Sequence, residues 1–376
     1  MKQQLLLDLK KISSDKIYLG LFLFILFVFL SPLMYFQHMD MEASKLIEIR
    51  EAVTSTQEGI EQMKEANVPL AVKDEEERLA LLETYLFALV SKQPNEIVKT
   101  QLAYEKKNLA QMENGTQSGI PIIEQRKLVA ELSYLTSHDL VPIDKFSPSA
   151  PAINFISNEF RGFISFTMIL IFPALIFSRI YSSEKDQSTK DFLNMAPISY
   201  TKISFSKLVS STLFSFGYFF LSIGLAGLIL SLKNGIGYLN YPIPISKDGI
   251  TVYILTTSQF LAQVFILLFF IYVFLSCLSF LISQFTSSFL IQTVILLMVI
   301  MIPSSPLFTA ESVIADIAHL LPFSYFDLSK VLTYGDSYLP VINQQVTLAN
   351  GLICLAGYSV LCLAVSAMII KKKESL

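Results

Sequence analysis

The sequence predicts an all-α membrane protein, with six transmembrane helices and a helical extracytoplasmic domain between the first and second. Three observations carry this reading. No residue from Gly249 to Ala310 is charged. Hydrophobic residues make up 53% of the chain and charged residues only 16%, against about 25% charged in an ordinary soluble domain. The mean hydropathy is +0.54. At ~1.5 Å per helical residue the uncharged run would cross a ~30 Å hydrocarbon core roughly three times. It must therefore hold at least two spans, joined at the polar stretch Ser283-Gln284-Phe285-Thr286-Ser287-Ser288.

The first span is Ile17–Gln37, with Tyr18 and Tyr35 placed as interfacial aromatics. Its apolar core is longer than a signal-peptide h-region and no small-x-small site follows it, so it is expected to be retained. The second is Phe163–Tyr181, interrupted by Pro173, and the third Leu208–Leu232. The fourth, Val252–Ile282, is long enough to tilt. The fifth, Phe289–Pro303, is short by the usual ~20-residue standard. The sixth, Thr347–Ile370, stops at Lys371-Lys372-Lys373.

Lysine and arginine in the short loops set the orientation. Lys2, Lys10, Lys11 and Lys16 precede the first span; Arg179, Lys185, Lys190, Lys202 and Lys207 cluster between the second and third; the triple lysine follows the sixth. The opposite loops hold only Lys233 and Lys247 in one and Lys330 in the other. Both termini are therefore expected in the cytoplasm, of a bacterial plasma membrane. Segment 1–16, with Leu5, Leu6, Leu9 and Ile12 beside its lysines, reads as an interfacial amphipathic helix. Segment 38–160 is expected outside, since long domains escape the charge bias.

That segment reads as helices. Leu46, Ile49, Val53, Thr56, Ile60 and Met63 follow heptad spacing until Pro69, and Leu79, Leu82, Leu86 and Leu89 repeat it until Pro94. Val98, Leu102, Leu109 and Met112 suggest a third helix, and Ile123, Val129, Leu132 and Leu135 a fourth.

Several chemistries find no residues here. The three cysteines lie in apolar runs, and His38, His138 and His319 have no partner at metal-ligand spacing, so no metal site and no cofactor is assigned to this chain. No G-x-x-x-x-G-K-[ST] loop, H-E-x-x-H or G-x-S-x-G occurs, and a net charge of −3 gives nucleic acid no purchase. Apart from Arg179 near the end of the second, the six spans contain no Asp, Glu, Lys, Arg or His, which argues against a self-powered ion-coupled pump. Gln259, Gln263 and Gln292 are read as interhelical hydrogen-bonding groups. If the chain moves a substrate, another subunit supplies the energy.

The informative loop lies between the second and third spans. Thr189 can cap a short helix with Phe192, Leu193 and Met195 along its apolar edge; Pro197 stops it and Ser199 can cap the next. Such a helix is suited to a groove on another protein. The run Glu184, Ser188-Thr189, Leu193, Pro197-Ile198-Ser199 and Lys207 resembles the signature of ABC-2-type transporter permeases: E-x-x-x-G-T, a leucine, P-[ILV]-[ST], then G-K at the start of the next span. Ser188 and Ser206 stand where that pattern has glycine.

The resemblance implies that 184–200 is a coupling helix seated in an ABC ATP-binding subunit, with Glu184, Thr189, Phe192, Leu193, Pro197, Ser199 and Lys207 as the coupling residues. It also implies pairing with a second copy or a related permease, ATP and Mg on the partner ATPase, and no catalysis in this chain. The expected function is export of an amphipathic peptide or lipid-like substrate. Two rival readings are an ATPase-driven mechanical transmitter controlling an extracellular enzyme, and an antimicrobial-peptide sensor or immunity protein.

Overall fold

The structure, a computed structural model, describes residues 16–36, 41–116, 120–144, 147–186, 200–304, 314–334 and 343–374. In chain order its helices are α1 (Lys16–Phe36), α2 (Met41–Glu65), α3 (Pro69–Ser91), α4 (Pro94–Glu113), α5 (Ile122–Ser137) and α6 (Ala152–Asn158), then a π turn at Glu159–Phe163, α7 (Phe166–Asp186) and α8 (Tyr200–Asn234). Strands β1 (Pro242–Ile245) and β2 (Tyr253–Thr256) follow, then α9 (Thr257–Ser283), α10 (Phe289–Met301), α11 (Leu328–Thr333) and α12 (Leu348–Glu374). Three 3-10 segments, Ile302–Ser304, Ala315–Leu320 and Pro322–Tyr325, lie between α10 and α11.

The chain forms two compact units. One comprises the described parts of Met1–Pro32, Ile156–Lys233 and Leu261–Leu376; the other comprises Leu33–Phe155 and Asn234–Phe260. In the second unit α2 packs on α3, α3 on α4 and α4 on α5, an up-and-down helical meander. Proline starts α3 and α4 at their first turns, where the missing N–H is not needed. The heptad seams meet in a core of Leu82, Tyr85 and Tyr104, against which Ile49, Val53, Leu89 and Ile97 pack. A polar cluster holds α3 to α4. Lys107 pairs with Asp74 and, at 3.0 Å, with Glu77, while Gln111 donates to Asp74 at 2.5 Å.

Those bonds give a pH window. The Gln111 and Lys107 hydrogen bonds hold the Asp74 carboxyl below its usual range, and Asp74 and then Glu77 push the Lys107 ammonium up. A carboxyl lowered by folding stabilises above its unfolded value, about 3.9, and loses this as pH falls; a raised lysine stabilises below about 10.4 and loses it as pH rises further. Lys107→Met should flatten both flanks of the stability profile and lower the plateau by about 1 kcal/mol, because the pair is partly solvated. Thermal unfolding across pH measures it; an unchanged profile would remove the cluster from the account.

Residues 234–260 join this unit as a β hairpin, a departure from a wholly α-helical reading. β1 and β2 pair antiparallel with Ile243 opposite Leu255, and β1 packs on α5. Tyr241 enters a core with Val98, Leu132, Leu135 and Leu140, and its hydroxyl accepts from the Ile143 amide at 3.0 Å. Asp248 ties the turn by accepting from the Ile250 and Thr251 amides at 2.9 and 2.8 Å, beside Gly249 at φ +71°. Asn154 Oδ1 accepts from the Tyr238 amide at 2.9 Å, and a side chain at Gly237, with φ +94°, would collide with Asn154 and Pro151.

The first unit holds the apolar helices. Four are long and apolar enough to cross a membrane: Lys16–Met34, Ser204–Asn234, Thr257–Ser283 and Leu348–Lys372. A fifth candidate is the pair Ala152–Gly162 and Phe166–Ser182, bent by 89°. α10 has 13 residues, about 20 Å of helix, and its 3-10 extension adds about 6 Å, just short of a ~30 Å core. Boundaries move from the sequence reading where polar signals compete. The fourth helix begins at Thr257 rather than Val252 because 253–256 pair with β1, and the third begins at Tyr200, a turn or two before Leu208. Inside, Phe216, Phe219 and Phe177 surround the Tyr272 ring at 5.8, 5.8 and 6.4 Å, joining α7, α8 and α9.

Candidate functional site

The signature segment is carried between α7, whose last residue is Asp186, and α8, whose first is Tyr200. Thr189, Phe192, Leu193, Pro197 and Ser199 lie outside the described residues, and Glu184 is placed only as backbone in the last turn of α7. Lys207 is described, and it is buried within α8 rather than displayed in a loop. Its ammonium stands 5.4 Å from the centre of the Tyr181 ring on α7. That is within reach of a cation–π attraction, strengthened by desolvation.

Tyr181 is the centre of a hydroxyl cluster absent from the sequence reading. Its hydroxyl lies 3.1 Å from Ser211 Oγ on α8 and 3.0 Å from Ser276 Oγ on α9, and the two serines are 3.2 Å apart. All three residues are buried. Three helices are thus tied at one level by groups that satisfy one another away from water. Because Tyr181 is on α7 and Ser211 on α8, the helices on both sides of segment 187–199 are tied to each other and to α9.

Ser206, next to Lys207 on α8, is buried, and its Oγ has no hydrogen-bond partner among the described residues. The position requires smallness rather than a hydroxyl. Ser206→Ala should leave thermal stability within about 0.5 kcal/mol, since the lost hydroxyl makes no bond, and Ser206→Gly should lie about 0.5–1 kcal/mol below the alanine variant for glycine inside a helix. Ser206→Leu should lower stability by about 1–3 kcal/mol through overpacking; equal stability of the three variants would contradict this.

The glutamines divide. Gln292 on α10 is fully buried and donates to the Ser279 carbonyl at 2.7 Å and its hydroxyl at 3.1 Å, an interhelical bond to α9. Among the described residues Gln259 makes a local bond: its Oε1 accepts from the Thr256 amide at 3.1 Å and finishes the turn into α9. Gln263 is half-buried on α9. Among the described residues no group of three or more His, Cys, Asp or Glu stands where it could hold a metal ion, and the three cysteines are unbridged thiols.

The model of the ABC-2 family transporter protein matches residues 35–368. The chain belongs to the ABC-2 transporter family. It is a multi-pass membrane component of a transport system, of a family that generally carries no catalysis itself and normally works with an ABC ATP-binding subunit. No curated protein and no solved structure matches it.

Proposed function

We propose that this ABC-2 permease is the membrane subunit of an ATP-driven exporter in a bacterial plasma membrane. It works beside a second copy or a related permease, on two ATP-binding subunits that hold ATP and Mg. Segment 184–200 takes the push. The observation that carries the reading is the Tyr181–Ser211–Ser276 cluster, through which both helices flanking that segment are joined to α9. A displacement of the segment then moves three packed helices together, the kind of rigid coupling that converts a local event into a rearrangement.

Six crossings, counting α10 with its 3-10 extension and α7 with its bent entry, keep both termini in the cytoplasm. The inclusion of 33–155 and 234–260 in one compact unit supports this, because both connections then share one side of the membrane, which the lysine bias assigns to the outside. The substrate is an amphipathic peptide or lipid-like molecule, in keeping with helices whose exposed surfaces carry Leu221, Leu228, Met298 and Val360 rather than charge.

Inside-out vesicles holding the chain with its ATP-binding subunit are expected to take up a labelled cationic amphipathic peptide or a fluorescent lipid analogue when ATP is added. ATP hydrolysis without uptake of either, together with ATP-dependent control of an outside enzyme, would replace the exporter with a transmitter. Peptide binding without hydrolysis would replace it with a sensor or immunity protein.

A further inference from the structure

The break before α7 holds a group that the transport reading does not use. Glu159 opens the π turn and is 1% exposed, and neither carboxylate oxygen has a hydrogen-bond partner among the described residues. Three residues on, Gly162 leaves helical geometry at φ 137°, ψ −1°, and the chain bends by 89° into α7. Irregular backbone at such a break survives where the surrounding protein shields it. Here the shield is apolar: the Phe160 ring packs 5.6 Å from Phe29 on α1 and 6.0 Å from Phe265 on α9. α11 packs on the turn, and its Ser329 hydroxyl donates to the Arg161 carbonyl at 2.8 Å.

We infer that Glu159 is a proton-binding site, held as the neutral acid while the break is packed and ionised when the break opens to water. Among the described residues no charged group hydrogen-bonds either Glu159 oxygen, and the charges of α7, Arg179, Glu184, Lys185 and Asp186, lie in its second half. Arg161 on the same turn makes no hydrogen bond to either Glu159 oxygen. On α11, Lys330 is exposed and paired with Asp327 at 3.3 Å. α1 carries only Lys16, at its first residue, and α9 carries no charged residue. On α8 the charges are Lys202 and Lys207 in its first turns and Lys233 at its far end. An ionised carboxylate removed from water without donors is strongly disfavoured, and the group takes a proton instead. At 1% exposure, a cation on a partner chain cannot reach it without opening the turn. The step is one proton: hydronium gives it to the carboxylate, leaving water and a carboxylic acid, and packing of the break retains it.

The test uses the full chain in lipid nanodiscs. Infrared spectra at neutral pH are expected to show the carbonyl stretch of an un-ionised carboxylic acid, missing in Glu159→Gln. Absence of any such band in the wild type would overturn the proposal, and so would its survival in the variant. Thermal unfolding supplies a second reading. Folding that retains a proton which the unfolded chain releases makes stability fall as pH rises. Wild type is expected to lose midpoint relative to Glu159→Gln from mildly acidic to neutral pH, with parallel profiles counting against the site. Should Glu159→Gln not fold, Glu159→Leu is the second neutral variant, and the band is read from the difference spectrum of wild type minus that variant.

Discussion

Leu193→Asp is expected to leave the chain inserted in the membrane and to release its ATP-binding subunit. On the proposed reading Leu193 belongs to the apolar edge of the coupling helix, and a carboxylate there would be forced into a desolvated protein contact. Hot-spot truncations at such contacts cost about 2 kcal/mol or more, at least about a 30-fold loss of affinity, and an unpaired buried charge costs more than truncation. Co-purification of the ATP-binding subunit measures this. Glu184→Ala should weaken association less, since on that reading Glu184 would orient the segment rather than fill a pocket. The control is Leu221→Asp, at an exposed position on α8. It should impair insertion, because aspartate inside a span costs about 2.5–3.5 kcal/mol. If Leu193→Asp fails in the same way as Leu221→Asp, position 193 belongs to the membrane rather than to a partner.

Leu82→Ala is expected to open the helical unit without touching the coupling side. Leu82 is fully buried between Tyr85 and Tyr104, and removing a core leucine costs about 2–5 kcal/mol, depending on how far the site collapses. Limited proteolysis should then cut within residues 41–116, while association with the ATP-binding subunit stays at the wild-type level. Wild-type resistance to protease would show that the α2–α4 core does not stabilise the unit as its packing implies.

The helices were legible because their signals are local. Heptad spacing at Ile49, Val53, Leu82 and Leu89 marks faces that do meet, and Pro69 and Pro94 mark starts that do occur. The hairpin was not legible. Pro242-Ile243-Pro244-Ile245 reads as a loop because proline cannot donate to a ladder, yet it is tolerated in a two-stranded ribbon with open edges. What selects the strand is the burial of Tyr241 against residues some hundred positions earlier, which no window contains.

The site divides in the same way. Glu184, Thr189, Leu193, Pro197 and Ser199 are visible as a contiguous pattern. The Tyr181–Ser211–Ser276 cluster joins hydroxyls on three helices, and serine within a span is ordinarily satisfied by its own helix, so nothing in the sequence marks these three. Glu159 reads as the polar end of a charged segment. Only the bend at Gly162 and the rings of Phe29, Phe160 and Phe265 make it a buried acid.

Transmission of force through segment 184–200 is tested most directly by photo-crosslinking from position 193 in the assembled complex. A photoreactive side chain replacing Leu193 is expected to capture the ATP-binding subunit, while the same group at Phe205, exposed on α8, captures lipid or a neighbouring permease. Capture of the ATP-binding subunit should change between nucleotide-free and ATP-bound complexes. An intact complex that yields no crosslink from 193 to the ATP-binding subunit in either state would contradict the account.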